Sequence, residues 1–285
     1  MHAYPPEGME YRPQDLSPEL LRAAAADGRI LQARAVMCSE THDLIVELGG
    51  MRAVIPRQEA ALGIREGTTR DIAILTRVGK TVCFRVTGIL PDGTPLLSRR
   101  AAQEAALERL MSLPAGTILP VVVTACTPFG AFCDAGCGVP ALIGLENICA
   151  ARIRHAGEAF AEGQQIFAAV LRAEPLRRRI VLTHKELLGT WAENAACFRQ
   201  GQTVTGTVRG VCDYGVFVEL MPNLSGLADP YPGVQNGDGV SVYIKSIQPE
   251  RCKLKLAILS RLEAPPVQAL RYFQTKGSVA GWRYR

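Results

Sequence analysis

The sequence predicts a mainly β protein, three tandem five-stranded barrels joined by short α-helices. Internal repetition is the first sign. The stretch GTILPVVVTACTPFGAFCDAGCGVPALIG (116–144) lies over GQTVTGTVRGVCDYGVFVELMPNLSGLAD (201–229) without a gap, pairing Gly116 with Gly201, Gly130 with Gly215, Phe132 with Phe217 and Leu142 with Leu227. Residues 28–56 fit the same frame through Gly28, Ile30, Leu44, Val54 and Ile55. The second sign is period. Inside each unit the apolar residues come in short alternating runs punctuated by turns, the pattern of strands half-buried on one face. The third is what lies between the units: stretches rich in helix formers that end near glycine.

Each element follows from these rules. A helix starts after Ser17, which caps it, with Pro18 in the first turn and Gly28 beyond its end. In the second unit strands are predicted near 117–125, 130–135, 139–144, 165–173 and 179–183. In the third they fall near 202–210, 215–220, 224–228, 239–247 and 252–258. Five strands in so short a span, with an insertion after the third, predict a closed or nearly closed barrel, which removes most exposed edges. The expected division is an N-terminal segment with its helix (1–26), a divergent first barrel (27–103), a helical linker (104–114), a second barrel (115–185), a second helical linker (186–199), a third barrel with a shortened loop (200–260) and a basic, aromatic tail (261–285).

Composition narrows the function classes. At 285 residues with 48% hydrophobic and 21% charged residues, the chain is expected to fold around packed cores. It shows no basic-then-apolar leader and no spanning apolar run, so a cytoplasmic protein without membrane contact is expected. The nine cysteines lack zinc spacing and are expected as reduced thiols, with no metal and no other cofactor. No phosphate loop or nucleophile motif occurs, and His2, His42, His155 and His184 form no recognisable triad, so no enzyme is expected. The net charge of +5 is mild, with its surplus mostly in the first unit and the tail.

Binding chemistry is carried by a repeated string. PFGAF (128–132) and DYGVF (213–217) occupy matched points, placing Phe129, Phe132, Tyr214 and Phe217 about the second strand. A three-residue spacing normally sends side chains to opposite faces. The glycine in each string allows the backbone to bend or bulge, so both rings are expected on one outer groove. Outward aromatics there suit nucleobases, which stack with little regard to sequence.

These strings resemble the start of the ribosomal-protein S-one domain, an oligonucleotide-binding (OB) barrel. EGQQIFAAVLRAEPLRRRIVLTHKE and NGDGVSVYIKSIQPERCKLKLAI resemble its last two strands, and GGMRAVIPRQEAALG (49–63) is similar to the divergent first domains of multi-repeat members. The resemblance spans about 27–260. It implies a single-stranded RNA-binding protein of translation, holding messenger or ribosomal RNA, with the small ribosomal subunit met through the first domain or the tail. The alternative is a protein-interaction or ribosome-docking scaffold whose barrels have lost RNA.

Candidate phosphate contacts are Arg177, Arg178 and Arg179 at the turn between the last two strands of the second unit, and Arg152, Arg154 and His155 in its insertion. In the third unit they are Arg209, Arg251, Lys253 and Lys255. Two departures stand out. The family's third-strand histidine falls on Gly144 and Asp229, and the first unit has Thr41, His42, Asp43 and Leu44 where the aromatic string should be. That unit reads as a docking module or structural cap rather than an RNA contact. The tail, with Arg271, Tyr272, Phe273, Lys276, Trp282, Arg283, Tyr284 and Arg285, is expected either as a hairpin on the third unit or as an RNA-binding arm.

Overall fold

The computed structural model describes residues 4–9, 16–174, 178–266 and 270–279. Helix α1 (Pro18–Asp27) begins where Ser17 accepts the amide of Leu20 and ends on Gly28 at φ 66°, a left-handed position that suits glycine. The first unit then runs β1 (Leu31–Cys38), β2 (Leu44–Leu48), β3 (Met51–Ile55), the short helices α2 (Arg57–Ala60) and α3 (Ile72–Leu75), β4 (Thr81–Ile89) and β5 (Pro95–Ser98). After helix α4 (Arg99–Ser112), the second unit is β6 (Ile118–Thr127), β7 (Gly130–Asp134), β8 (Pro140–Gly144), β9 (Gln165–Glu174) and β10 (Arg179–Thr183). Helix α5 (Trp191–Ala195) leads to β11 (Thr203–Cys212), β12 (Gly215–Met221), β13 (Leu224–Ala228), β14 (Gly239–Gln248) and β15 (Lys253–Arg261).

The second and third units are closed barrels of one topology, β10-β8-β7-β6-β9 and β11-β12-β13-β15-β14. In each, the third and fifth strands close the barrel in parallel and every other pairing is antiparallel. This is the five-stranded OB arrangement. Alternation explains the closure: along β6, Leu119, Val121 and Val123 point inward while Pro120 and Thr124 face out. The first unit has the same five strands, in the order β3-β2-β1-β4-β5, but its sheet stays open between β3 and β5. Strand β5 has only four residues and starts on Pro95, which has no N–H for a ladder.

The connectors differ from uniform helices. Ser98 caps α4 by accepting the amide of Ala101, and the helix buries Ala106, Leu107 and Leu110 in the core of barrel two. The second connector is broken in two, a 3-10 turn at Lys185–Leu188 and then α5, because Gly189 intervenes at φ 78°. A Cβ on Gly189 would lie 2.6 Å from the ring of Phe273.

Contacts across the junctions join the barrels. Between barrels one and two runs the N-terminal segment. Glu7 takes a two-pronged bond from Arg99 at 2.7 and 2.9 Å, its amide donates to Asp134 at 2.7 Å, and the amide of Cys137 donates to the carbonyl of Pro5 at 2.8 Å. Between barrels two and three, buried Asn223 accepts the amide of Ala150 at 3.0 Å and donates to the carbonyls of Lys185 and Gly189 at 2.7 and 2.8 Å.

The tail returns to barrel two, which neither sequence expectation foresaw. Tyr272 packs edge-on against Phe167 and His184, Phe273 donates its amide to the carbonyl of Leu187, and Ser278 bridges Thr117. Arg283, Arg285, Trp282 and Tyr284 lie outside the described residues. His184 is fully buried, with Nδ1 against the carbonyl of Ile148 at 2.8 Å and Nε2 against the hydroxyl of Tyr272 at 3.1 Å. Burial pushes its pKa down to about 4, against the hydrogen bond to Ile148 that favours the cation. The unfolded chain therefore takes up this proton first. His184 contributes stability that is full above its unfolded pKa, about 6.5, and is lost as pH falls through about 4. Long-range imidazole NMR is expected to find a neutral ring down to that pH; titration at the ordinary value would refute the packed Tyr272 contact.

Candidate nucleic-acid interface

The interface starts from two tight hairpins. Thr127 pairs with Gly130, and Cys212 with Gly215, so Phe129 and Tyr214 occupy two-residue turns rather than strand positions. This is why a three-residue spacing puts both rings of each string on one side. Gly130 and Gly215 have φ of 152° and 157° and press against the third strand. A Cβ would sit 2.2 Å from the carbonyl oxygen of Ile143 in one barrel and 2.4 Å from that of Ala228 in the other. No bulge falls at these glycines: register slips in the neighbouring strand between Val123 and Ala125 and between Val208 and Gly210, and in β12 itself only further along, between Glu219 and Met221.

The rings form matching pairs. Phe129 and Phe132 have centroids 5.8 Å apart at 85°, and Tyr214 and Phe217 have centroids 6.2 Å apart at 89°. Such edge-to-face pairs are favourable between aromatic quadrupoles. Phe129 and Tyr214 are 59% and 67% exposed, Phe217 36%, while Phe132 is half-buried. Exposed rings in two homologous turns offer open faces for stacking.

Register places the cations. In barrel three one row across the outer face reads Gly210, Phe217, Leu227, Lys255 and Ser246. Lys253, two residues earlier on β15, shares that face, and Arg251 lies in the turn before it; all three cations are exposed. Asp229, at the missing histidine position, is neutralised locally: the hydrogen bond from Lys245 holds its pKa below the usual carboxylate range, with Lys255 adding to the effect. Lys245 was missed in the sequence because only the β14–β15 pairing brings it there. In barrel two the corresponding row is Ala125, Phe132, Leu142, Val181 and Arg172. Arg178 and Arg179 are exposed at the β9–β10 turn, whereas Arg177 lies outside the described residues.

The insertion of barrel two reaches barrel three. Arg152 and Arg154 are exposed and line a cavity of about 450 Å³ at this junction. The phenol pKa of Tyr214 is raised first by its hydrogen bond with Cys212, and Arg152 is near enough to oppose that rise. His155 is used locally, its Nδ1 accepting the amide of Gly157 at 2.9 Å. Arg209 is a correction to the candidate set. Its side chain is 12% exposed and its guanidinium pairs with Glu158 at 2.6 Å and with Glu219, so it ties the insertion to barrel three instead of facing the groove.

Barrel one has no ring pair. Thr41, His42 and Asp43 form a polar hairpin in which Thr41 donates to Asp43 and Asp43 accepts the amide of Arg57. The row that carries aromatics elsewhere reads Met37, Ile45 and Val54 here, with exposed Leu96 across the open seam.

A family description, S1 RNA binding domain, matches residues 112–185. The chain is 29% identical over 259 residues to small ribosomal subunit protein bS1 of Leuconostoc lactis, covering 84% of this chain and 58% of that protein. To bS1 of Neisseria meningitidis it is 30% identical over 70% of this chain and 38% of that protein, and to bS1 of Rhizobium meliloti 30% over 77% and 41%. The chain thus spans between 38% and 58% of the length of these relatives. Three five-stranded units of this topology, the matched domain and similarity along most of the chain make it a multi-repeat member of the ribosomal protein S1 family.

Proposed function

We propose that this protein binds single-stranded RNA in translation, with barrels two and three as the binding units. The observation that carries the reading is the pair of exposed, edge-to-face ring platforms at homologous hairpins. Bases stack on Phe129 and Phe132 and on Tyr214 and Phe217, while Arg178, Arg179, Arg251, Lys253, Lys255, Arg152 and Arg154 meet phosphates. The role is binding rather than catalysis, as the family similarity supports. The same relatives support a cytoplasmic, ribosome-associated setting. Among the described residues no helix is long and apolar enough to cross a membrane.

A second reading applies to barrel one alone. Its aliphatic row and open seam favour contact with protein, which fits docking on the small ribosomal subunit. The described part of the tail is engaged on barrel two and is a poor candidate for that role. The test of the main reading is fluorescence anisotropy with a labelled single-stranded RNA across a salt series. Affinity is expected to fall as salt rises, with a log–log slope of about −0.7 per neutralised phosphate. Absent or salt-independent binding would favour a scaffold.

A further inference from the structure

Although barrel one lacks a ring pair, the insertion between its third and fourth strands reaches the groove of barrel two. One step along the strands from Phe132 and Leu142, about 7 Å at ordinary strand rise, the outer row of barrel two continues as Asp134 and Pro140. There a cleft of about 640 Å³ opens between the two barrels, with Arg77, Thr68 and Thr69 on one wall and Arg178 and Pro140 on the other. It borders the aromatic groove and collects cations from both barrels.

Arg77 is the informative group. Its Nε is buried with no hydrogen-bond partner among the described residues. Its other nitrogens make long contacts only, Nη1 to Glu7 at 3.5 Å and Nη2 to Thr76 at 3.3 Å. Glu7 is already engaged by Arg99 in the two-pronged pair, so Arg77 keeps unused donor capacity. Arg178 is exposed at φ 48° and has no ion pair among the described residues. The acidic lining is Glu66 and Asp134. Asp134 spends both oxygens on the amides of Glu7, Gly136 and Gly138, and burial, with Glu7 adding, pushes its pKa up to about 7. A guanidinium with a buried, unmatched N–H calls for an anionic acceptor.

We propose that this cleft is an anion subsite that seats a phosphate of the RNA strand leaving the Phe129 and Phe132 platform, clamped by Arg77 of barrel one and Arg178 of barrel two. The proposal rests on the RNA-binding reading and gives barrel one a direct part in it without any stacking of its own. It extends the bound strand past the groove of barrel two toward barrel one.

The test uses the full chain carrying Arg77→Gln, Arg77→Lys or Arg178→Gln, each checked by thermal melting, with labelled single-stranded RNA over a potassium chloride series. Arg77→Gln and Arg178→Gln are each expected to weaken binding by about 3- to 10-fold and to flatten the salt slope by about one phosphate contact, with Arg77→Lys keeping the slope. Arg178 is exposed at a turn, so its variant decides the matter if Arg77→Gln lowers the melting temperature. Wild-type affinity and slope in folded Arg77→Gln and Arg178→Gln would overturn the proposal while leaving the RNA reading intact. Should the wild type bind no RNA, the reading fails separately, and the cleft is judged by titrating inorganic pyrophosphate against the amide signals of Thr68, Thr69 and Arg178. Saturable shifts that vanish in Arg77→Gln would support the anion subsite, and their absence in the wild type would sink it.

Discussion

Replacing Glu7 by alanine is expected to destabilise the joined barrels one and two by about 3–5 kcal/mol, the cost of stranding a buried charge. The side chains of Glu7 and Arg99 are each 4% exposed, so water cannot solvate Arg99 once its partner is gone. Among the described residues Arg99 would keep its hydrogen bond to the carbonyl of Ala60 at 3.1 Å and the attraction of Asp134, but no carboxylate hydrogen bond. The Glu7 side chain also accepts the amide of Cys83, so the loss reaches β4 as well. Thermal and urea unfolding would measure the change, read on the transition of barrels one and two because a chain of several units need not unfold in two states. Pairing Glu7→Leu with Arg99→Met should recover part of the loss, since it removes the stranded Arg99 guanidinium while the contacts of Glu7 with Arg77 and with the Cys83 amide stay lost. A loss in Glu7→Ala below about 1 kcal/mol, the range of solvent-exposed pairs, would mean that the N-terminal segment does not hold this junction.

The other large effect concerns affinity. In barrel three, Tyr214→Ala with Phe217→Ala is expected to cost about 1–3 kcal/mol for each base unstacked, so at least about thirtyfold for two at about 1.4 kcal/mol per decade. Little change in stability accompanies it, because Tyr214 is 67% and Phe217 36% exposed. The salt dependence separates this loss from an electrostatic one. Removing rings takes away no phosphate contact and should leave the slope unchanged, whereas Lys253→Gln with Lys255→Gln should flatten it by about two contacts. Anisotropy titrations of both variants at several salt concentrations make the comparison. Unchanged affinity in the folded ring variant would remove barrel three from the stacking surface.

Much of this architecture was legible because strand signals here are local. Strands β6 and β13 and the start of β15 carry alternating burial that the sequence shows directly, whereas β10 is buried continuously from Ile180 to Thr183, and the glycine that opens each aromatic strand is fixed by a close backbone approach. Openness of barrel one was not legible: closure depends on whether β5 finds β3 across a long insertion, and Pro95 at its start gives only a faint hint. The same limit governs the site. Phe129, Tyr214, Lys253 and Lys255 could be placed from repeat position, since each lies on or beside a strand of predictable register. Arg209 could not, because its partners Glu158 and Glu219 come from an insertion and from a neighbouring strand. Arg77 drew no notice for a related reason: a single arginine in an insertion carries no pattern, and its meaning appears only when barrel two supplies the opposite wall.

The tail's return to barrel two has a consequence for avidity. Chain leaves barrel two through the Lys185–Ala195 connector and comes back to it at Tyr272, Phe273 and Ser278, so barrel three is tied at both of its ends. Two sites on a loose linker meet one ligand at an effective concentration set by linker length, typically about millimolar for short flexible links. A doubly tied barrel replaces that broad distribution with one fixed separation. An RNA too short to bridge the two platforms gains nothing from the second, and one just long enough gains nearly all of it. Affinity should therefore rise in a step with RNA length rather than along a gradual slope.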